Sequence, residues 1–164
     1  MDVDFHKKNH YLCTPKYKVK NTMSINEIQD HIIEEFSVYD EWLDKYEYLI
    51  ELANTLEVIE DTKKTPDNII QGCQSRVWLD ASLDEDGTLS FRADSDAIIT
   101  KGIIALLIRV FNHQKPDDIV NAELYFVDEI GLSANLSPTR ANGLVAMIKQ
   151  IRYYALAFRA LEKK

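Results

Sequence analysis

Between Arg76 and Ala93 the apolar residues recur at every second position, and on either side of that stretch they recur at helical spacing. Val77, Leu79 and Ala81 face one way, with Arg76, Trp78 and Asp80 facing the other. After the segment LDEDG, Leu89, Phe91 and Ala93 alternate with Thr88, Ser90 and Arg92. Two alternating runs joined by a turn-forming segment predict an antiparallel hairpin. The order is two helices, a hairpin, then several helices, which implies an α+β domain: a small antiparallel β-sheet with helices packed on one face.

The helical stretches carry their own signals. Ser24 followed by Glu27 has capping-box spacing, and Ile25, Ile28, Ile32 and Phe36 then share a face. A second helix is expected after Asp40, with Trp42, Tyr46, Leu49, Ile50, Ala53 and Leu56 as its apolar stripe. The polar stretch EDTKKTPDN, with Pro66, reads as a loop. After the hairpin, Ile98, Ile99, Ile103, Leu106, Leu107 and Val110 give a wide apolar face, the mark of a central helix on the sheet, with Asp94 or Ser95 available to cap it. Gly102 inside that helix costs about 1 kcal/mol relative to alanine, so another segment is expected to pass close there. Pro116 suits the first turn of a short helix, another is expected from about Glu123 to Gly131, and Ser137-Pro138 opens a long closing helix bearing Leu144, Ile148, Ile151, Ala155 and Phe158.

Composition narrows the function. With 46% hydrophobic and 28% charged residues the chain has the make-up of a soluble globular protein. Its longest apolar run, Gly102 to Ile108, is far short of the roughly 20 residues a spanning helix needs. The net charge of -8 argues against nucleic acid and anionic membrane as partners. Residues 1 to 23 differ from the rest: five lysines against two aspartates give +3, leaving -11 beyond them. They read as a flexible N-terminal extension, with the domain at 24 to 164. No secretory signal is visible, and two cysteines without a framework suit a reducing, cytoplasmic setting.

Of those two cysteines, Cys13 falls in the extension and Cys73 in the stretch NIIQGCQSRVWLD. His6, His10, His31 and His113 are remote in sequence and have no catalytic context. No CxxC spacing is present, and no metal site is expected. One accessible thiol does suffice for sulfur exchange, in which a thiolate attacks the sulfur of a disulfide or persulfide. A free cysteine is often just a small buried hydrophobe. Against that, Cys73 is set among Gln71, Gly72, Gln74 and Ser75 on a loop, where functional residues concentrate. Ile69 and Ile70 before it and Val77 and Trp78 after it can anchor the loop and tuck the sulfur, with Gly72 as a hinge; burial of that kind raises a thiol pKa.

The blocks TPDNIIQGCQSRVWL, DSDAIITKGIIALLI, KPDDIVN and LSPTRANGLVAMIKQIR, in that order over about residues 24 to 160, resemble the SufE family, which includes CsdE. These are sulfur-acceptor proteins of iron-sulfur cluster assembly. The resemblance implies an α+β fold shared with the U-type scaffolds. It implies a PLP-dependent cysteine desulfurase, SufS-like, as donor partner, and an iron-sulfur scaffold complex, SufBCD-like, as recipient. The acceptor would be Cys73, within the motif formed with Gly72, Gln74 and Ser75. The PLP belongs to the partner, and no cofactor is implied for this chain. U-type scaffolds gather several cysteines at one cluster, which this chain cannot do. By the same resemblance Asp94, Ser95 and Asp96 lie near the cysteine loop and contact the desulfurase, helix capping being the other reading. Arg140 stabilises a thiolate or meets the partner, the other reading being a surface ion pair. Trp78 is expected to pack on the sheet.

Two other functions stay open: an independent thiol enzyme, and an adaptor whose Cys73 is incidental. The domain boundary is tested directly. Because the capping signal begins at Ser24, a chain started at Met23 is expected to keep the thermal midpoint and the sulfur acceptance of the full chain; a large loss of either refutes the boundary.

Overall fold

The computed structural model describes residues 23 to 164. The expected extension lies, apart from Met23, outside the described residues, and so does Cys13. The elements are α1 (Ile25–Phe36), α2 (Trp42–Ala53), β1 (Val77–Leu83), β2 (Leu89–Ser95), α3 (Ile98–Phe111), α4 (Pro116–Asn121), α5 (Phe126–Glu129), α6 (Leu132–Asn135) and α7 (Pro138–Glu162). The polar stretch before β1 makes two single 3-10 turns, Asp61–Lys63 and Pro66–Asn68.

The capping box of α1 forms as expected. The Glu27 amide donates to Ser24 Oγ at 3.3 Å, and the Ser24 amide donates to the Glu27 carboxylate at 2.7 Å. The hairpin has the register its alternation predicts, Leu79 opposite Ala93 and Ala81 opposite Phe91. Val77, Leu79, Leu89, Phe91 and Ala93 are buried on one face, and α3 packs against β2 on that side. The Tyr154 hydroxyl of α7 donates to the Leu79 carbonyl at 3.0 Å, fixing the long closing helix to β1. Both outer edges of the hairpin are engaged by single bridges: Ile69 with Trp78 along β1, and Val58 with Ala93 and Gln114 with Leu89 along β2.

Three expectations need correction. Asp94 and Ser95 do not cap α3: they close β2, paired with Trp78 and Val77, and the strand geometry leaves Ala97 at the cap position. In α2 the core-facing residues are Leu49, Leu52 and Ala53; Ile50 is exposed, and Leu56 is buried only after the helix has ended. The helix expected from Glu123 is a single turn from Phe126, stopped where Gly131 adopts a φ of 78°, and α6 follows as a turn the periodicity did not signal.

Gly102 behaves as its cost suggests. A Cβ there would lie 2.1 Å from the Leu49 carbonyl oxygen of α2, so α2 and α3 touch backbone to backbone. These two helices share a polar tie with α1: Arg109 of α3 donates twice to Glu35 of α1, both at 2.6 Å, and Tyr48 of α2 donates to Glu35 at 2.8 Å. Arg109's hydrogen bonds hold the Glu35 carboxyl below its ordinary range, while burial, then the bond to Glu35, pushes Tyr48 up to about 12. Gly102→Ala gains about 1 kcal/mol of helix propensity but must force two backbones apart, an overpacking penalty of up to about 3 kcal/mol. The variant is expected to lose about 2 kcal/mol net in urea denaturation; unchanged or increased stability would show that α2 can move away freely.

Candidate functional site

The cysteine loop is made by the way the chain enters the sheet. Ile69 bridges to Trp78, and the Ile70 amide donates to the Val77 carbonyl at 2.8 Å, which extends the β1 ladder backwards. Ile70 and Val77 are both buried, so this pairing is anchored in the core. Residues 71 to 76 are left as a loop that starts and ends at one place. Gly72 turns it, at a φ of 95° that an L side chain rarely adopts.

The loop lies on α7. A Cβ built on Gly72 would meet Ala146 at 3.4 Å, and one built on Gly143 would meet the sulfur of Cys73 at 3.6 Å. The Cys73 thiol donates to the Gly143 carbonyl at 3.7 Å. The side chain is half-buried, and burial pushes its thiol pKa up. Little thiolate therefore exists at neutral pH in this arrangement.

Beside the sulfur is a cleft of about 380 Å³. Its walls are Cys73 to Ser75, the first turn of α3 from Ala97 to Thr100 with Ile103 below, and the start of α7 with Thr139, Arg140, Gly143 and Met147. Ser75 Oγ donates to the buried Thr100 hydroxyl at 3.1 Å, tying the far side of the loop to α3. Among the described residues no carboxylate or histidine lines the cleft. His31 and His113 lie elsewhere, His6 and His10 fall outside the described residues, and no cluster able to hold a metal ion occurs among the described residues.

Asp94, Ser95 and Asp96 do lie by the cysteine loop, but in a role neither reading named. Asp96 accepts from the Arg76 amide at 3.0 Å and from Arg76 Nε at 3.1 Å. Ser95 Oγ donates to the Arg76 carbonyl at 2.9 Å, as does the Asp96 amide at 3.3 Å. Together they clasp the last residue of the loop. Asp94 is one step removed, bound to Lys64 at 2.7 Å and Lys101 at 3.2 Å. Burial works to raise its carboxyl, but those two lysines and the Ser95 amide outweigh it and hold the group below the ordinary range. Trp78 stands on the outer face of the sheet, its ring flanked by Lys64 and Arg76. Arg140 is exposed on the rim of the cleft, and no ion pair engages it among the described residues. The sequence reading missed Thr100, Gly143 and Met147. Small residues at Gly143 and Ala146, three apart on one helix face, were the available signal for a close contact there.

Residues 30–155 match the SufE family, described as an Fe-S metabolism associated domain. The chain belongs to the SufE family. It is also similar in fold to the solution structure of a hypothetical protein from Thermus thermophilus, with a TM-score of 0.68 and 17% identity over 81% of this chain and 96% of that one. Membership of SufE associates the chain with iron-sulfur metabolism. Among the described residues no helix is long and apolar enough to cross a membrane.

The clasp has a measurable consequence. Asp96→Ala removes both side-chain bonds to Arg76 and leaves the core pairing of Ile70 with Val77 untouched. Arg76 is well exposed, so the ion pair adds little beyond its hydrogen bonds, about 1 kcal/mol in all. Loosening the loop by that amount is expected to raise the iodoacetamide reaction rate of Cys73 about fivefold at neutral pH. The midpoint of its pH profile should fall toward that of an ordinary thiol, because opening relieves the burial that raises it. An unchanged rate and profile would show that Asp96 does not hold the loop.

Proposed function

We propose that this SufE-family chain is a sulfur acceptor and carrier: Cys73 takes persulfide sulfur from a SufS-like, PLP-dependent cysteine desulfurase, stimulates that enzyme, and passes the sulfur to a SufBCD-like scaffold complex for iron-sulfur cluster assembly. The observation that carries this reading is the composition of the cleft. A half-buried thiol faces it with no imidazole and no carboxylate beside it among the described residues, a setting without the base that acyl transfer or hydrolysis requires and sufficient for sulfur exchange.

The step balances without an oxidant. Cys73 loses its proton, and its thiolate attacks the outer sulfur of the donor persulfide. The donor's S–S bond breaks as the new bond to Cys73 Sγ forms. The donor cysteine leaves as a thiolate and takes up a proton, and Cys73 holds the outer sulfur as its own persulfide. PLP chemistry belongs to the desulfurase, and the acceptor contributes the thiol and its loop. A free acceptor thiol persists in a reducing compartment, in keeping with a cytoplasmic location.

Closed, the loop keeps the thiol protonated and hindered, so the donor must favour an open loop, by binding that state more tightly. Apolar surface is available around the loop for such binding: Ile98 on one side, and Val145 and Tyr153 along α7 on the other, are each at least half exposed. Arg140 on the rim of the cleft, and Asp94 to Asp96 at the far end of the loop by Arg76, are the polar candidates for partner contact.

Cys73→Ser should fold normally, since a hydroxyl nearly matches a thiol in size, yet accept no sulfur and give no stimulation of a cognate desulfurase. Cys13→Ser should change neither. Mass spectrometry after incubation with desulfurase, PLP and cysteine is expected to find one added sulfur on the peptide holding Cys73. Full stimulation by Cys73→Ser refutes the carrier mechanism and leaves an adaptor; turnover of a thiol substrate without any desulfurase points to an independent enzyme.

A further inference from the structure

Gly143 sits inside α7, where glycine costs about 1 kcal/mol relative to alanine. Its Cα is bare toward the cysteine loop: a Cβ there would lie 3.6 Å from Cys73 Sγ and 4.0 Å from both its Cα and its Cβ. Alanine fits at such distances, and any longer side chain displaces the loop. The Gly143 carbonyl accepts from the Cys73 thiol, having a second lone pair beyond the one used along the helix.

We propose that Gly143 is a positioning residue of the transfer site, its bare Cα and its carbonyl together seating the protonated Cys73 thiol, so that the loop closes on the unloaded sulfur and is released by the loaded one. This rests on Cys73 being the sulfur acceptor. The reason is atom counting. In the thiol, Sγ carries one hydrogen and donates it to Gly143. In a persulfide, Sγ is bonded to Cβ and to the outer sulfur and carries no hydrogen, whatever the ionisation of the outer atom. The donor is gone, and sulfur lone pairs face carbonyl lone pairs. The outer sulfur, about 2.05 Å further out, cannot take the hydrogen's place between Sγ and the Gly143 oxygen, which are 3.7 Å apart, and has to turn toward the cleft. Ser75–Thr100 and Arg76–Asp96 do not depend on the sulfur, so the loaded loop remains attached but more weakly held. The empty carrier is thus shielded, and the loaded one presents its sulfur to the recipient.

The test uses the full chain with Cys13→Ser, so that Cys73 is the single thiol, and needs no desulfurase. Methyl methanethiosulfonate converts Cys73 to its S-methylthio form with loss of methanesulfinic acid, giving an Sγ that is disulfide-bonded and has no hydrogen. Hydrogen exchange of the amides of residues 71 to 76 is then compared with that of α1 as an internal reference. Loss of a weak donor is expected to speed exchange of the loop about threefold in the S-methylthio protein, reversibly with dithiothreitol. Cys73→Ala, which removes the donor without adding bulk, should show a similar gain. Gly143→Val should raise the alkylation rate of Cys73 and lower the midpoint of its pH profile, with Gly143→Ala close to the parent.

Equal exchange in free and S-methylthio protein overturns the proposal. Acceleration in the S-methylthio form but not in Cys73→Ala attributes release to bulk alone and overturns the role of the carbonyl. An unchanged alkylation profile in Gly143→Val overturns the seat; should that variant not fold, the two cysteine arms still decide. A failure of Cys73 to accept sulfur from a desulfurase would instead remove the carrier reading and leave these loop measurements standing.

Discussion

A two-stranded hairpin has one face to bury and two edges to occupy, and alone in water it is marginal at best. In this chain the buried face, with Leu79, Leu89 and Phe91 at its centre, is covered by α3, and Gly102 lets α2 close over the back of α3. The edges are occupied by segments that would otherwise be plain connections. One of these, Ile69 and Ile70 pairing with Trp78 and Val77, creates the cysteine loop. The site is therefore a by-product of protecting the edge of β1: the same core contacts that finish the sheet hold both ends of the loop fixed and leave its tip to move.

Fixed ends and weak tip contacts set the energetics of access. Thiol to carbonyl, hydroxyl to hydroxyl, and the exposed Arg76–Asp96 clasp are each contacts of about 1 kcal/mol or less in net terms. Their sum keeps the closed loop dominant, yet a partner that favours the open state by a few kcal/mol can invert the balance. Burying Ile70 and Val77 is worth more than that, since a fully buried aliphatic side chain contributes about 1.5 to 3 kcal/mol. The loop can thus open while the sheet stays intact.

How much of this was readable in the sequence follows from the range of each interaction. The capping box at Ser24, the hairpin register and the close approach at Gly102 depend on residues a few positions apart or on a local cost, and all were legible. The stripe of α2 was partly misread because helical spacing alone does not say which of Ile50 and Leu52 meets α3, nor that the helix ends before Leu56. Asp94 to Asp96 were legible as special, but the capping that spacing suggested gives way to the strand pairing of Asp94 and Ser95, after which Ser95 and Asp96 clasp Arg76 and Asp94 pairs with Lys64 and Lys101. Gly143 reaches Cys73 across 70 positions, through the packing of α7 on the loop, and no local pattern encodes that distance.

Electrostatics separates the two roles open to Arg140. Among the described residues lining the cleft it alone carries a charge, a cation on a chain of net charge -8. Were it acting on Cys73 in the closed loop, it would favour the thiolate and lower the thiol pKa. In the closed loop burial raises that pKa. A permanently charged guanidinium at the rim, unpaired among the described residues and directed at nothing in the closed site, serves best as a landing point for an anionic group arriving from outside. In the proposed transfer a donor persulfide is such a group, and meeting it is the role that reading assigns to Arg140.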